Sequence, residues 1–237
     1  MVAMPHEMEF PTIESLARFI DHTVLAPEHT VEDVERACDE ALGYGFAAVS
    51  VAPYDIARVA GLLTGSDVAA GGAIGIPLGH GGLKSKLAEA RTCIDAGADE
   101  IDMVINLVAL KSGVWGDVRN EIAAVRKIAD GNILKVIFEC CYLTEEEKVR
   151  ACKICLDTGV NFVKTSTGFG TGGATAEDVA LMKRTVGDRA QVKASGGIRT
   201  FQQVKAMLDA GATRIGTSAG VAIVREYQNS KSILHHE

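Results

Sequence analysis

A four-fold beat constrains this chain more than anything else in it: an amphipathic segment ends in glycine, and an apolar, β-branched run opens directly behind. The four occurrences are Ala41-Leu-Gly-Tyr-Gly-Phe-Ala-Ala-Val49, Asp95-Ala-Gly-Ala-Asp-Glu-Ile101, Asp157-Thr-Gly-Val-Asn-Phe-Val163 and Asp209-Ala-Gly-Ala-Thr-Arg-Ile215. A glycine in that place ends a helix in left-handed backbone, and a short loop then leads into a strand. Repeated down a chain, the pattern means parallel βα units. Apolar runs supply eight strand candidates, at 19–25, 47–52, 68–75, 100–106, 134–140, 162–167, 191–196 and 214–217. Helical patterns fill the gaps, for instance at 31–42, 84–96, 118–129, 145–157, 176–186 and 200–210.

Eight βα units in 237 residues come close to the roughly 250 residues of a (β/α)8 TIM barrel. A doubly wound sheet usually shows G-x-G-x-x-G behind its first strand, and none follows 19–25. No linker or shift in composition divides the chain. It is read as α/β, a single TIM-barrel domain over 1–237, with an N-terminal helix at about 12–18 and a flexible tail at about 226–237.

Composition excludes several functions. With 24 basic against 31 acidic side chains, net −7, and no Lys/Arg block, the chain lacks the electrostatic footprint of a nucleic-acid binder. No apolar run approaches the roughly 18–20 residues of a membrane span. Residues 1–11 carry Glu7 and Glu9 and no apolar stretch, unlike a secretory signal. The expectation is a soluble cytoplasmic protein. Six cysteines are too sparse for a disulfide scaffold. Cys152 and Cys155 form a C-x-x-C, but with Val149 and Leu156 they fall on the apolar stripe of helix 145–157. They are read as small core hydrophobes and not as a metal or redox site.

Strands of a parallel barrel are covered on both faces and read as apolar runs. Here charges interrupt them: Asp102, Lys135, Glu139, Lys164 and Lys193. Side chains alternate faces along a strand. Ile101, Met103 and Ile105 therefore turn to the helices, and Asp102, Val104 and Asn106 turn into the barrel. The same rule sends Lys135, Ile137 and Glu139 inward, with Lys164, Ser166, Lys193 and Ser195. The three lysines are 29 residues apart in each step, which places them at similar levels on adjacent strands. Three lysines against two carboxylates exceed what a plain ion-pair plug needs. Burial and a like-charged neighbour both favour the neutral amine, and a neutral lysine in a closed site attacks carbonyls. Asp102 is within reach as a general acid/base.

The last two βα loops, Ala194-Ser-Gly-Gly-Ile-Arg199 and Gly216-Thr-Ser-Ala-Gly220, occupy the usual phosphate site of such barrels and offer free N–H groups to an anion. Gly79-His-Gly-Gly82 is read as a plain turn with His80 exposed.

Taken together, Val163-Lys-Thr-Ser-Thr-Gly168, Val192-Lys-Ala-Ser-Gly-Gly197, Glu100-Ile-Asp-Met-Val-Ile-Asn106, Ile76-Pro-Leu-Gly79 and Ile20-Asp-His-Thr-Val-Leu25 resemble the deoxyribose-phosphate aldolases, over about 12–224. The resemblance implies reversible cleavage of 2-deoxy-D-ribose 5-phosphate to acetaldehyde and D-glyceraldehyde 3-phosphate. It implies that Lys164 forms a Schiff base, that Asp102 relays protons and that Lys193 tunes Lys164 and assists. Thr23 would contact the sugar chain, and Gly168, Gly196, Gly197, Gly216, Thr217 and Ser218 would hold the phosphate. An iminium is itself the electron sink, so no cofactor or metal is implied. The implied partners are small phosphorylated sugars and aldehydes, with no nucleic acid or membrane, and a homodimer or higher homo-oligomer. Three departures stand out. Leu25-Ala-Pro27 replaces Leu-Lys-Pro, Ser50 stands where a cysteine is common, and no terminal tyrosine is evident, leaving Tyr227 as a substitute. Ser50 is expected to protect the pocket from thiol capture by aldehydes, and His235 and His236 are assigned nothing. The competing readings are a transaldolase-like enzyme using dihydroxyacetone-type donors and a phosphosugar-binding barrel without activity. The presence of both lysines and Asp102 disfavours the second.

Overall fold

The computed structural model describes Phe10 and residues 12–234. Eight parallel strands close in sequence order, β8 pairing with β1. They are β1 (Ile20–Val24), β2 (Ala48–Val51), β3 (Ala69–Ile74), β4 (Glu100–Val104), β5 (Ile133–Ile137), β6 (Phe162–Lys164), β7 (Gln191–Ser195) and β8 (Arg214–Thr217). Around them lie α1 (Ile13–Ala17), α2 (Val31–Tyr44), α3 (Ile56–Leu62), α4 (Leu83–Asp95), α5 (Leu107–Lys111), α6 (Trp115–Ile128), α7 (Glu145–Asp157), α8 (Ala176–Val186), α9 (Phe201–Asp209) and α10 (Gly220–Leu234). The TIM barrel is as the βα beat requires. Since α10 reaches Leu234, most of the expected tail is helix; His235 and His236 lie outside the described residues.

The local signals act as read. Gly45, Gly97, Gly159 and Gly211 all take positive φ at helix ends. Behind them Phe46, Ala98, Val160 and Ala212 each donate back to a carbonyl five residues earlier, which satisfies orphaned C=O groups. Thr30, Thr144 and Thr200 open α2, α7 and α9 with reciprocal capping boxes, each satisfying two free N–H groups. Ile101, Met103 and Ile105 belong to the core between strands and helices. Cys152 and Cys155 are fully buried there on α7. Burial pushes the Cys152 thiol up to about 12. His80 is exposed, ahead of α4.

Several strands end earlier than their apolar runs. Asn106 does not point into the barrel: β4 stops at Val104, and the Asn106 side chain caps α5 by accepting from Ala109 N–H at 3.0 Å. Residues 138–140 are likewise not strand. β5 stops at Ile137, and Glu139 takes left-handed backbone before a 3-10 turn at Cys140–Tyr142. Nor are the three lysines level. Lys164 pairs with Lys193, but it is Ile137, not Lys135, that stands opposite Lys164. The stagger of a closed barrel shifts register from strand to strand, so Lys135 sits two residues deeper. Among the described residues no helix is long and apolar enough to cross a membrane.

Candidate active site

The interior is an ion network in two tiers. In the lower tier Lys135, 1% exposed, donates to Asp21 Oδ2 at 2.8 Å and to Glu100. Arg214 closes the tier, bonding Asp21 and, at 2.7 Å, Glu100 Oε1. Above it, Lys164 Nζ and Lys193 Nζ each lie 2.7 Å from the same oxygen, Asp102 Oδ2. Lys193 also reaches Asp21 Oδ2 at 2.5 Å, tying the tiers together. Gly71 and Ala73 on β3 pair with Glu100 and Asp102; their small side chains leave room for this polar interior. Asp21, Glu100 and Arg214 escaped the sequence reading. For two of them the signal was present, since Glu100 is two residues before Asp102 and Asp21 two before Thr23, hence on the inward face.

Four cations thus meet three carboxylates in this network. Burial alone would raise the acids, but the surrounding lysines hold Asp102 well below the usual carboxylate range. Burial is likewise overcome at Asp21, which Lys135, Lys193 and Arg214 hold low. Lys135 is driven upward despite its burial by Asp102, Asp21 and Glu100. Lys164 goes the other way. Burial and the nearby lysines outweigh Asp102, its one carboxylate partner in the network, and bring its amine down to about 8. The network thus carries one surplus cation, and Lys164 is held below the ordinary lysine range.

Lys164 forms part of the lining of a cavity of about 800 Å³ at the C-terminal mouth of the barrel. Asp102 and Lys193 lie beneath it, outside the lining. Thr23, Gly168, Gly196, Gly197, Gly216, Thr217 and Ser218 all line the same cavity, as do Ala26 and Ser195. The candidate nucleophile and candidate phosphate loops thus share one chamber. Thr23 is half-buried, its hydroxyl donating to Asp21 O at 3.0 Å. Ser50, in register with Thr23, is 2% exposed, unpartnered at its hydroxyl and outside the lining. A thiol there would be shielded from aldehydes, so this geometry lends the expected protection no support. Tyr227 does not reach the chamber: it is buried, donates its hydroxyl to Phe10 O and packs on Phe10 and Phe201.

Residues 15–228 match the DeoC/LacD family of aldolases. A deoxyribose-phosphate aldolase of Brevibacillus brevis is 53% identical over 210 residues, 89% of this chain and 95% of its own length. One from Thermococcus kodakarensis is 53% identical over 213 residues, covering 88% of this chain and 95% of its own. Among solved structures, the deoxyribose phosphate aldolase of Aeropyrum pernix, described as a unique tetramer, superposes with a TM-score of 0.86. It is 32% identical and covers 93% of this chain and 94% of its own.

Proposed function

The chain belongs to the DeoC/LacD aldolase family, and from that premise we propose that it cleaves 2-deoxy-D-ribose 5-phosphate reversibly through a Schiff base on Lys164. The observation that carries this reading is a buried amine, brought down to about 8 by burial and the neighbouring lysines, at the wall of a chamber lined by glycine-rich loops.

The neutral Lys164 amine attacks the C1 aldehyde of the open-chain sugar, and loss of water leaves an iminium. The C3 hydroxyl gives up its proton, the C2–C3 bond breaks, and its electron pair flows into the iminium to form an enamine. D-glyceraldehyde 3-phosphate departs. The enamine takes a proton at C2, and water releases acetaldehyde and the free amine. Asp102, hydrogen-bonded to both lysines, is the centre of the proton relay. Kept ionised by the lysines around it, it is the fixed anion about which Lys164, Lys193 and water exchange protons. Gly168, Gly196, Gly197, Gly216, Thr217 and Ser218 take the phosphate through backbone N–H groups and hydroxyls. Binding energy spent there, remote from the breaking bond, orients the reacting end. The substrates are small and soluble, in keeping with a cytoplasmic enzyme, and the tetrameric relative supports self-association.

Acetaldehyde release from 2-deoxyribose 5-phosphate, followed by a coupled alcohol dehydrogenase, tests the reading. The native protein should turn over, and Lys164→Leu should lose at least about 10³-fold, as removal of a covalent nucleophile does. No turnover by native protein, or turnover only of dihydroxyacetone-type donors, would overturn it.

A further inference from the structure

Glu139 is a buried acid beside the chamber that this scheme leaves unused. Among the described residues it alone, glycines aside, takes positive φ, at 55°. A side chain is held in that region only where its surroundings over-determine it. Those surroundings are specific. The side chain is 2% exposed, and both carboxylate oxygens accept from Thr167 N–H at 3.3 Å. Oε2 also accepts the Thr167 hydroxyl. Thr167 Oγ1 in turn accepts from Phe169 N–H at 3.0 Å, closing the Thr167-Gly168-Phe169 turn with Gly168 at φ 93°.

The far end of the same β6–α8 loop is gripped from the other side. Ala174 N–H donates to Gly196 O at 3.0 Å. The backbones approach so closely that a Cβ on Gly173 would lie 2.2 Å from that oxygen. Between the two grips, a Cβ on Gly170 would come within 3.0 Å of Glu139 Oε1. Thr167, Gly168 and Phe169 thus line the chamber beside Gly196 and Gly197, fixed by one carboxylate and one carbonyl.

We infer that Glu139 is a positioning residue that sets the enzyme's preference for phosphorylated over unphosphorylated sugars: by clamping Thr167 it holds the Gly168 turn against the Gly196–Gly197 loop, so that the two backbone segments form one anion cradle. The inference rests on the function proposed above. A carboxylate suits this task because each of its two oxygens accepts from Thr167 N–H, whereas an amide offers one acceptor oxygen and would turn its NH2 group toward that donor.

The test compares Glu139→Gln and Glu139→Gly with the wild type. Glycine fits the left-handed backbone, so that variant removes the clamp while relieving the strained conformation. Three quantities are measured: kcat and KM for 2-deoxyribose 5-phosphate, kcat/KM for 2-deoxyribose, and the rate of borohydride trapping of acetaldehyde. In Glu139→Gly the KM for the phosphorylated sugar should rise about tenfold or more, the preference for it should shrink by the same factor, and trapping should stay within about twofold. Glu139→Gln should fall between the wild type and Glu139→Gly. An unchanged KM, or equal losses on both sugars together with slowed trapping, overturns the inference. The latter result would assign Glu139 to Lys164 instead. A wild-type protein that cleaves neither sugar overturns the aldolase reading itself, and the inference with it, whatever the variants do.

Discussion

Replacing Lys193 by methionine asks whether the second lysine keeps the first reactive. Both ammonium nitrogens lie 2.7 Å from Asp102 Oδ2, so they stand at most about 5.4 Å apart, where two unit charges at an effective dielectric of ~20 repel by ~3 kcal/mol. That is worth about two pKa units. With Lys193 gone, Lys135, Lys164 and Arg214 face Asp21, Glu100 and Asp102, three against three, and the network no longer carries a surplus cation. Burial, the largest cause of lowering at Lys164, remains in the variant and holds the amine below the ordinary lysine value of about 10.4, which leaves room for about two units. The Lys164 amine, at about 8 in the native protein, should move up to as much as about 10. At pH 7 the neutral fraction would then fall from roughly one in ten to as little as roughly one in a thousand. Since only the neutral amine attacks, trapping of acetaldehyde by borohydride should speed up with pH in both proteins. The midpoint should lie near 8 in the native protein and at least about one unit higher in Lys193→Met. At pH 7 the variant should be about 10- to 100-fold slower and should recover when alkaline. A midpoint that stays near 8 would refute the electrostatic role of Lys193.

Two further predictions concern the ion network. Lys135→Met leaves Asp21 and Glu100 buried with one cation fewer, and breaking a buried pair in this way should cost about 3–5 kcal/mol in urea unfolding. Asp21 and Asp102 are both held below their ordinary range. They therefore contribute stability above the unfolded carboxylate pKa of about 4 that is lost as pH falls below it. The urea midpoint should drop between about pH 5 and pH 3, and drop less steeply in Asp21→Asn.

The barrel was legible because its signals are local. Gly45, Gly97, Gly159 and Gly211 end helices through backbone conformation, and alternation along β4 separates Ile101 and Met103 from Asp102. Most of what escaped depends on partners distant in the chain. Arg214 opens β8 and reads like any solvated strand end until closure brings it to Asp21, 193 residues away. The depth of Lys135 follows from barrel stagger, which a spacing of 29 residues does not encode. Asn106 sits in an apolar run that alternates like strand. Its amide satisfies a free helix N–H better than it would a barrel already full of charge. Glu139 read as inward strand, and its clamp on Thr167 exists only because β5 ends early.

Borohydride reduction of the native protein with acetaldehyde, weighed intact and then mapped by peptide, tests the Schiff-base assignment most directly. A single two-carbon ethyl adduct on Lys164 is the predicted result. An adduct on Lys193 in place of Lys164, or no adduct on folded protein, would contradict it.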